Sequence, residues 1–75
     1  MKKYYYTFGA EGQPYYGGWV MVVADSWDEA DEKFIAQYPL KDGFINCAFR
    51  YTEEAFLNTG MQENGNLGSF CHEVL

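Results

Sequence analysis

The chain has 75 residues, a net charge of −6 from eleven acids against five bases, and an aromatic content of 20%. This length allows one domain with a small core, in which large aromatic side chains supply much of the buried area. The negative charge argues against direct binding to nucleic acid, which needs Lys and Arg to neutralise phosphates, and against binding to an anionic membrane. We therefore expect a single domain over residues 1–75 that binds neither.

The N-terminal part of the chain predicts two strands joined by a segment rich in turn residues. Residues 2–8 are rich in Tyr and Phe, and alternation places Tyr4 and Phe8 on the same face. Gly and Pro punctuate residues 9–18, so this segment is predicted to be a loop. Trp19–Ala24 is apolar on both faces, which predicts a central strand covered on two sides.

The clearest helix signal begins at Ser26. Ser26 and Glu29 fit a capping box, in which each side chain bonds the backbone amide of the other residue. Pro39 predicts the end of the helix at about Tyr38. An apolar stripe at helical spacing should pack on the sheet; it is made by Trp27, Ala30, Phe34 and Tyr38. Four acids in the first turns are favoured by the helix dipole and are typical of a solvated face: Asp28, Glu29, Asp31 and Glu32.

The second half of the chain predicts two further strands and a short helix. Residues 44–51 are a strand candidate, with an inward set made by Ile45, Cys47, Phe49 and Tyr51. Thr52 is a predicted N-cap for a helix over residues 53–58, which Gly60 ends. We expect a polar loop over 61–68 and a fourth strand over 69–75. The order β-β-α-β-(α)-β predicts an α+β fold with two layers, a mostly antiparallel sheet of three or four strands and one main helix.

Two cysteines and one histidine are the residues that would carry metal or nucleophilic chemistry, namely Cys47, Cys71 and His72. Structural zinc sites use paired ligands two to four residues apart, whereas adjacent residues on a strand point to opposite faces. The spacing favours a buried Cys47 and a surface His72, with no metal, cofactor or catalytic residue. The glycines match no nucleotide-binding loop, and no small-molecule substrate is evident. With so few cysteines and no signal sequence, a cytoplasmic location is expected.

The aromatic residues outnumber those that one face of a small sheet can bury. Tyr and Trp are enriched where proteins contact one another. We expect a protein-contact surface formed by surplus aromatics and the acidic helix start; its candidate residues are Tyr5, Tyr15, Tyr16, Trp19, Asp28, Glu29, Asp31 and Glu32. The partner would be another protein, and a second copy of this chain, giving a homodimer, is an open alternative.

Several segments resemble short uncharacterised proteins encoded in bacterial prophages and mobile elements: YYTFG at 5–9, PYYGGWV at 14–20, NCAF at 46–49, GNLG at 65–68 and CHE at 71–73. The resemblance implies an accessory gene product with no assigned activity, and it transfers no residue roles. The first hypothesis is therefore a non-enzymatic protein-binding module of phage origin. In a sharper form, it is a counter-defence inhibitor that occupies a basic nucleic-acid channel. The alternative is a small metal-binding or catalytic domain built on Cys47, Cys71 and His72.

Overall fold

A computed structural model describes all of residues 1–75. Its elements in chain order are β1 (Lys2–Thr7), β2 (Trp19–Ala24), α1 (Trp27–Gln37), β3 (Phe49–Thr52), α2 (Glu53–Thr59), α3 (Met61–Asn64) and β4 (Cys71–Val74). One mixed sheet of four strands carries one main helix and two short ones, which confirms the predicted α+β class. None of the three helices has the length and apolar composition that crossing a membrane requires.

The strands lie in the order β3-β1-β2-β4. β1 pairs antiparallel with β2 along its whole length, from Lys2 opposite Ala24 to Thr7 opposite Trp19. β1 also pairs antiparallel with β3, while β4 runs parallel to β2. The sheet is thus mostly antiparallel, and β2 is an internal strand, as its apolar sequence predicts.

Helix α1 begins as predicted, but its capping box is only half formed. The Ser26 hydroxyl accepts a hydrogen bond from the backbone N–H of Glu29 at 3.3 Å. The Glu29 carboxylate does not return to Ser26; it lies 3.4 Å from the ammonium of Lys33. Lys33 is itself fixed by a 2.7 Å hydrogen bond to the carbonyl of Val23. This anchored cation one turn along the helix draws the carboxylate away from the cap.

The first face of the sheet, which α1 covers, holds the larger core. Tyr4, Tyr6 and Phe8 alternate along the chain and all point to this side. Phe34 of α1 stacks on Tyr6 with ring centroids 4.3 Å apart. The predicted apolar stripe of α1 packs here, with Ala30, Phe34 and Tyr38 buried and Trp27 partly buried.

The second face of the sheet is covered by α2. Phe56 of α2 is fully buried and stacks on Tyr5 with centroids 4.0 Å apart. Trp19 meets the same Phe56 ring edge-on at 5.0 Å. Because β1 is covered on both sides, three consecutive tyrosines are all buried, although successive residues of a strand point in opposite directions.

The third strand is shorter than predicted, because residues 44–48 do not belong to it. A tight turn at Asp42 and Gly43, both with left-handed backbone, returns the chain at Phe44. Ile45 and Cys47 do pack against the first-face core, but from a loop. β3 then pairs with β1 through four residues only.

The inward position predicted for Phe49 is wrong, since this ring is 66% exposed. Phe49 lies opposite Thr7 on the second face of the sheet. Tyr51, two residues along, meets Phe56 of α2 edge-on at 6.1 Å and is partly buried. Cover from α2 therefore decides which residues of this edge strand are buried.

Helix α2 follows its sequence signals closely. The Thr52 hydroxyl accepts from the backbone N–H of Ala55 at 3.3 Å, and Gly60 ends the helix in the left-handed conformation. The loop predicted over 61–68 is wrong for Met61–Asn64, which form the single helical turn α3. The Asn64 amide donates to the carbonyl of Gly60 at 3.0 Å and closes that turn.

Candidate functional site

The loop between β1 and β2 is fastened at its base. The backbone N–H of Phe8 donates to the carbonyl of Gly18 at 3.0 Å, which extends the strand pairing past β1. The N–H of Gly18 then donates to the carbonyl of Tyr15 at 2.9 Å, and this bond closes a turn over residues 15–18. Tyr15 and Tyr16 are therefore presented by a hydrogen-bonded turn.

This turn lies directly against the segment that precedes β4. A Cβ atom added at Gly18 would stand 2.9 Å from the carbonyl oxygen of Phe70, closer than side chains approach in proteins. A Cβ at Gly17, whose φ is +95°, would stand 3.1 Å from the carbonyl oxygen of Asn66. Glycine at both positions thus allows two backbones to touch. The contact joins segments that are about fifty residues apart in sequence, a separation that no local signal encodes.

Four side chains gather where these segments meet, and we call them the aromatic patch: Tyr15, Tyr16, Phe70 and His72. Tyr15, Tyr16 and Phe70 are 55%, 50% and 55% exposed, respectively. The ring of Tyr15 stacks on the imidazole of His72, with centroids 3.3 Å apart and planes inclined by 19°. The patch lines an open cleft of about 300 Å³ together with Gly18, Ser69 and Cys71.

Tyr15 is held in an uncommon backbone conformation. Its φ is +48°, in the left-handed region that bulky L-residues avoid at a cost of about 1–2 kcal/mol. Beyond the His72 stack, its ring meets the edge of Tyr38 at 6.3 Å. The side chain is thus positioned by its neighbours, although more than half of its surface faces solvent. Strain of this kind at an exposed residue is a common feature of functional sites.

Tyr38, which contacts the ring of Tyr15, forms a hydrogen bond with Glu73 next to the patch. The Tyr38 hydroxyl donates to the carboxylate of Glu73, which ties the residue that caps the C-terminus of α1 to β4. Burial raises the pKa of Tyr38, and the hydrogen bond to Glu73 raises it further, so the hydroxyl stays protonated and remains a donor. Glu73 is the residue next to His72, so this bond fixes β4 to the end of α1 beside the patch.

Two of the predicted contact residues lie inside the protein. Tyr5 is 5% exposed and Trp19 is 3% exposed, and both pack around Phe56 of α2. Their prediction as contact residues is therefore wrong. The sequence argument assumed a sheet with one covered face, whereas α2 covers the second face as well. Tyr15 and Tyr16 do lie at the surface, as predicted.

The four predicted acids divide into two kinds. Asp28 and Glu32 are exposed and have no ion-pair partner, while Glu29 pairs with Lys33. Asp31 is different, because one carboxylate oxygen accepts from the Tyr6 hydroxyl at 2.6 Å and the other accepts from Arg50 at 2.8 Å. The interpretation of Asp31 as part of a solvated contact face is wrong. A buried hydroxyl and a cation from β3 both turn toward it.

The bond from Tyr6 to Asp31 explains why a tyrosine fits the interior. The Tyr6 ring is fully buried, and its hydroxyl needs an acceptor there. Burial raises the pKa of Tyr6, and the hydrogen bond to the Asp31 carboxylate raises it further. Arg50 balances this charge, and its guanidinium also lies over the Trp27 ring, 5.3 Å from the centroid. Asp31 thus links α1, β1 and β3 through one carboxylate.

The acids and the aromatic patch do not form one surface. Asp28 lies in the first turn of α1, whereas the patch adjoins Tyr38 just beyond the last turn. Ten residues of helix separate the two positions by about 15 Å. The free carboxylates therefore do not line the cleft.

Cys47, Cys71 and His72 occupy different parts of the fold. Cys47 lies in the loop leading to β3, at one edge of the sheet, and Cys71 begins β4 at the other edge. Both cysteines are free thiols. No group of three or more His, Cys, Asp or Glu side chains is placed to hold a metal ion. Burial raises the pKa of Cys47 to about 11, the opposite of the shift that activates a nucleophilic thiol.

Sequence reasoning missed Phe70 and the role of His72 in the patch. Phe70 lies between a turn and a short strand, with no periodicity to mark it, and for His72 the sequence predicts a surface position but no partner. The one available signal was Gly17-Gly18, because paired glycines indicate close approach of another backbone. The identity of the approaching segment could not be read from it.

No known protein family, curated protein or solved structure matches this chain.

Proposed function

We propose that this chain is a non-enzymatic protein-binding module that contacts its partner through the aromatic patch. The observation that carries the proposal is Tyr15, a half-exposed ring in a left-handed backbone conformation, stacked on His72. Gly or Asn would occupy this position at lower cost, and an exposed ring gains little from burial. An aromatic residue kept at this cost with more than half of its surface exposed is well explained by a contact with another molecule.

The chemistry of the patch suits a protein surface. Tyrosine offers a large contact area with few rotatable bonds, and the stack on His72 has already ordered the Tyr15 side chain. Binding therefore loses little additional conformational entropy. The cleft volume of about 300 Å³ is at the lower limit for small-molecule sites, which span about 300–1,000 Å³. It is open to solvent, so a protruding side chain of a partner can enter it.

The charge of the chain favours a basic partner. The net charge is −6, and Asp28 and Glu32 on α1 have no cation to pair with. Because these acids lie away from the patch, their role would be to steer association rather than to form the contact. In its sharper form, the proposal is an accessory protein of phage origin that inhibits a basic nucleic-acid-binding protein. This form rests on the charge and on the resemblance to prophage proteins.

The proposal places this interaction in the cytoplasm. Cys47 and Cys71 are both free thiols, and Cys71 is exposed. Reducing compartments preserve exposed thiols, whereas oxidising ones favour disulfides.

A capture experiment with two matched variants tests the proposal. Tyr16→Ser removes an exposed ring of the patch whose hydroxyl makes no hydrogen bond within the chain, so its unfolding midpoint should match that of the wild type. Leu57→Gln removes a similarly exposed apolar side chain from α2 and serves as the control. Each protein is immobilised, and the proteins captured from a bacterial lysate are quantified by mass spectrometry.

We expect the wild type and Leu57→Gln to retain the same proteins in the same amounts. Tyr16→Ser should retain them about 30-fold less tightly, which corresponds to the loss of one interface tyrosine worth about 2 kcal/mol. Equal retention by Tyr16→Ser and the wild type would show that the patch is not the contact surface.

A further inference from the structure

The last strand of the sheet is attached to the rest of the chain in an exchangeable way. We call residues 69–75 the β4 arm. β4 is an edge strand that pairs with β2 only, and three of its four residues are exposed. Leu75, just beyond it, donates its backbone N–H to the carbonyl of Met21 at 2.8 Å and accepts from the N–H of Val23 at 2.9 Å.

Three side chains of the β4 arm contact residues from distant parts of the sequence. Glu73 accepts from the Tyr38 hydroxyl, and His72 stacks on Tyr15. Phe70 approaches Trp19, with ring centroids 6.1 Å apart. Each of these partners belongs to the body of the fold and is present in every copy of the chain. A second copy therefore offers an identical site for the arm.

The turn that connects the β4 arm to the body is strained. Asn66 and Ser69 exchange two backbone hydrogen bonds, at 2.7 and 3.0 Å, around Leu67 and Gly68. Leu67 has φ +50° and Gly68 has φ +83°, the pattern of a two-residue turn that favours Asn, Asp or Gly at both central positions. Leu67 is 65% exposed, so burial offsets little of its backbone cost. An extended connection would release this strain.

We infer that the β4 arm exchanges between two copies of this chain, each arm pairing with β2 of the other copy while the Leu67–Gly68 turn opens. In the exchanged dimer the contacts of Phe70, His72, Glu73 and Leu75 with the sheet and with Tyr15 and Tyr38 are kept, while the turn is lost together with its two backbone hydrogen bonds between Asn66 and Ser69, which makes exchange a low-cost route to a dimer. Each aromatic patch is then shared, with Tyr15 and Tyr16 from one copy and Phe70 and His72 from the other. This inference does not depend on what the patch binds.

Protein concentration decides which form is populated. A short connection gives the closed arm an effective concentration in the millimolar range, so the monomer dominates in dilute solution. Release of the strain in both chains favours the exchanged dimer. The dimer therefore competes with the closed monomer at a lower protein concentration. We expect the dimer after refolding from denaturant at about 0.1–1 mM protein, detected by gel filtration with light scattering.

Two measurements test the exchange. Leu67→Asn keeps the turn but removes its strain, and it should lower the dimer association constant on the order of 30-fold, while Leu57→Asn on α2 should leave the constant unchanged. In the second measurement, Met21→Cys and Val74→Cys are combined with Cys71→Ser, because residues 21 and 74 are direct partners on β2 and β4. Oxidation of the isolated dimer should then link two chains, so that a denaturing gel shows twice the chain mass of 8.7 kDa.

The inference has clear contrary outcomes. A wild type that stays monomeric at every concentration after refolding overturns it. A dimer whose oxidised cysteine variant runs as single chains also overturns it, because the arms would then pair within their own chains. If the cysteine variant does not fold, the comparison of wild type, Leu67→Asn and Leu57→Asn decides by itself. Binding through the aromatic patch is measured separately with Tyr16→Ser, so failure of one idea leaves the other standing.

Discussion

Replacement of Asp31 by alanine should destabilise the protein far more than its surface position on α1 suggests. The substitution leaves the buried Tyr6 hydroxyl without its acceptor, and a hydrogen bond to a charged group contributes about 1.5–3 kcal/mol. It also removes the half-exposed ion pair with Arg50, which contributes about 0.5 kcal/mol. The expected loss is therefore about 2.5 kcal/mol in the free energy of unfolding. For a domain of this size, the midpoint of thermal unfolding falls by about 10–20 °C.

Urea unfolding followed by circular dichroism measures this loss, and Glu32→Ala provides the matched control. Glu32 is the next residue of the same helix and has no partner, so its removal should change the free energy of unfolding by less than about 0.5 kcal/mol. Tyr6→Phe removes the hydroxyl that needs an acceptor, so Asp31→Ala should cost less in that background. If Asp31→Ala and Glu32→Ala cost the same, Asp31 is a solvated acid and the network described here does not stabilise the fold.

Three further predictions concern pH, packing and thiol chemistry. Burial raises the pKa of Tyr5, Tyr6 and Tyr38 above 10, so their unfolded forms lose protons first. The free energy of unfolding should therefore begin to fall above about pH 9, where the unfolded Cys47 thiol loses its proton first, and should fall further above pH 10 by about 1.4 kcal/mol per pH unit per tyrosine, with a smaller slope in Tyr6→Phe. Gly18→Ala should cost about 1–3 kcal/mol in urea unfolding because its Cβ meets the Phe70 carbonyl oxygen at 2.9 Å, whereas Gly9→Ala, with its nearest atoms at 3.8 Å, should be nearly neutral. A thiol reagent at pH 8 should modify the exposed Cys71 at least about tenfold faster than the partly buried Cys47, whose pKa is about 11; equal rates would contradict the protection of the Cys47 thiol.

Local signals predicted the elements whose causes are local. Ser26 and Pro39 delimit α1, and Thr52 and Gly60 delimit α2, because caps and chain breaks act within a few residues. The prediction of a strand over 44–51 is wrong for residues 44–48, because Asp42 and Gly43 form a tight turn and the loop after it packs on the core. Of this loop, Ala48 bonds to β1, through its N–H and the carbonyl of Thr7. A segment forms a strand only where a neighbouring strand has a free edge to pair with. The sequence alone does not show which residues of the chain reach that edge.

The sequence predicted the candidate site correctly only for residues that lie in a loop, outside the strands and helices that form the core. Tyr15 and Tyr16 stand in a loop, so their exposure follows from the sequence. Tyr5 and Trp19 were misplaced because their burial depends on Phe56, a residue of a helix on the far side of the sheet. The stack on His72 depends on contact between loops distant in sequence, which a single sequence does not reveal.

Photo-crosslinking from the patch tests the central claim most directly. A photoreactive phenylalanine analogue replaces Tyr16 in one variant and Leu57 in a second, since both positions are about half exposed but lie on different surfaces. After irradiation in bacterial cells, position 16 should give a discrete crosslinked protein and position 57 should give none. Crosslinking from position 57 alone would contradict the assignment of the aromatic patch as the binding surface.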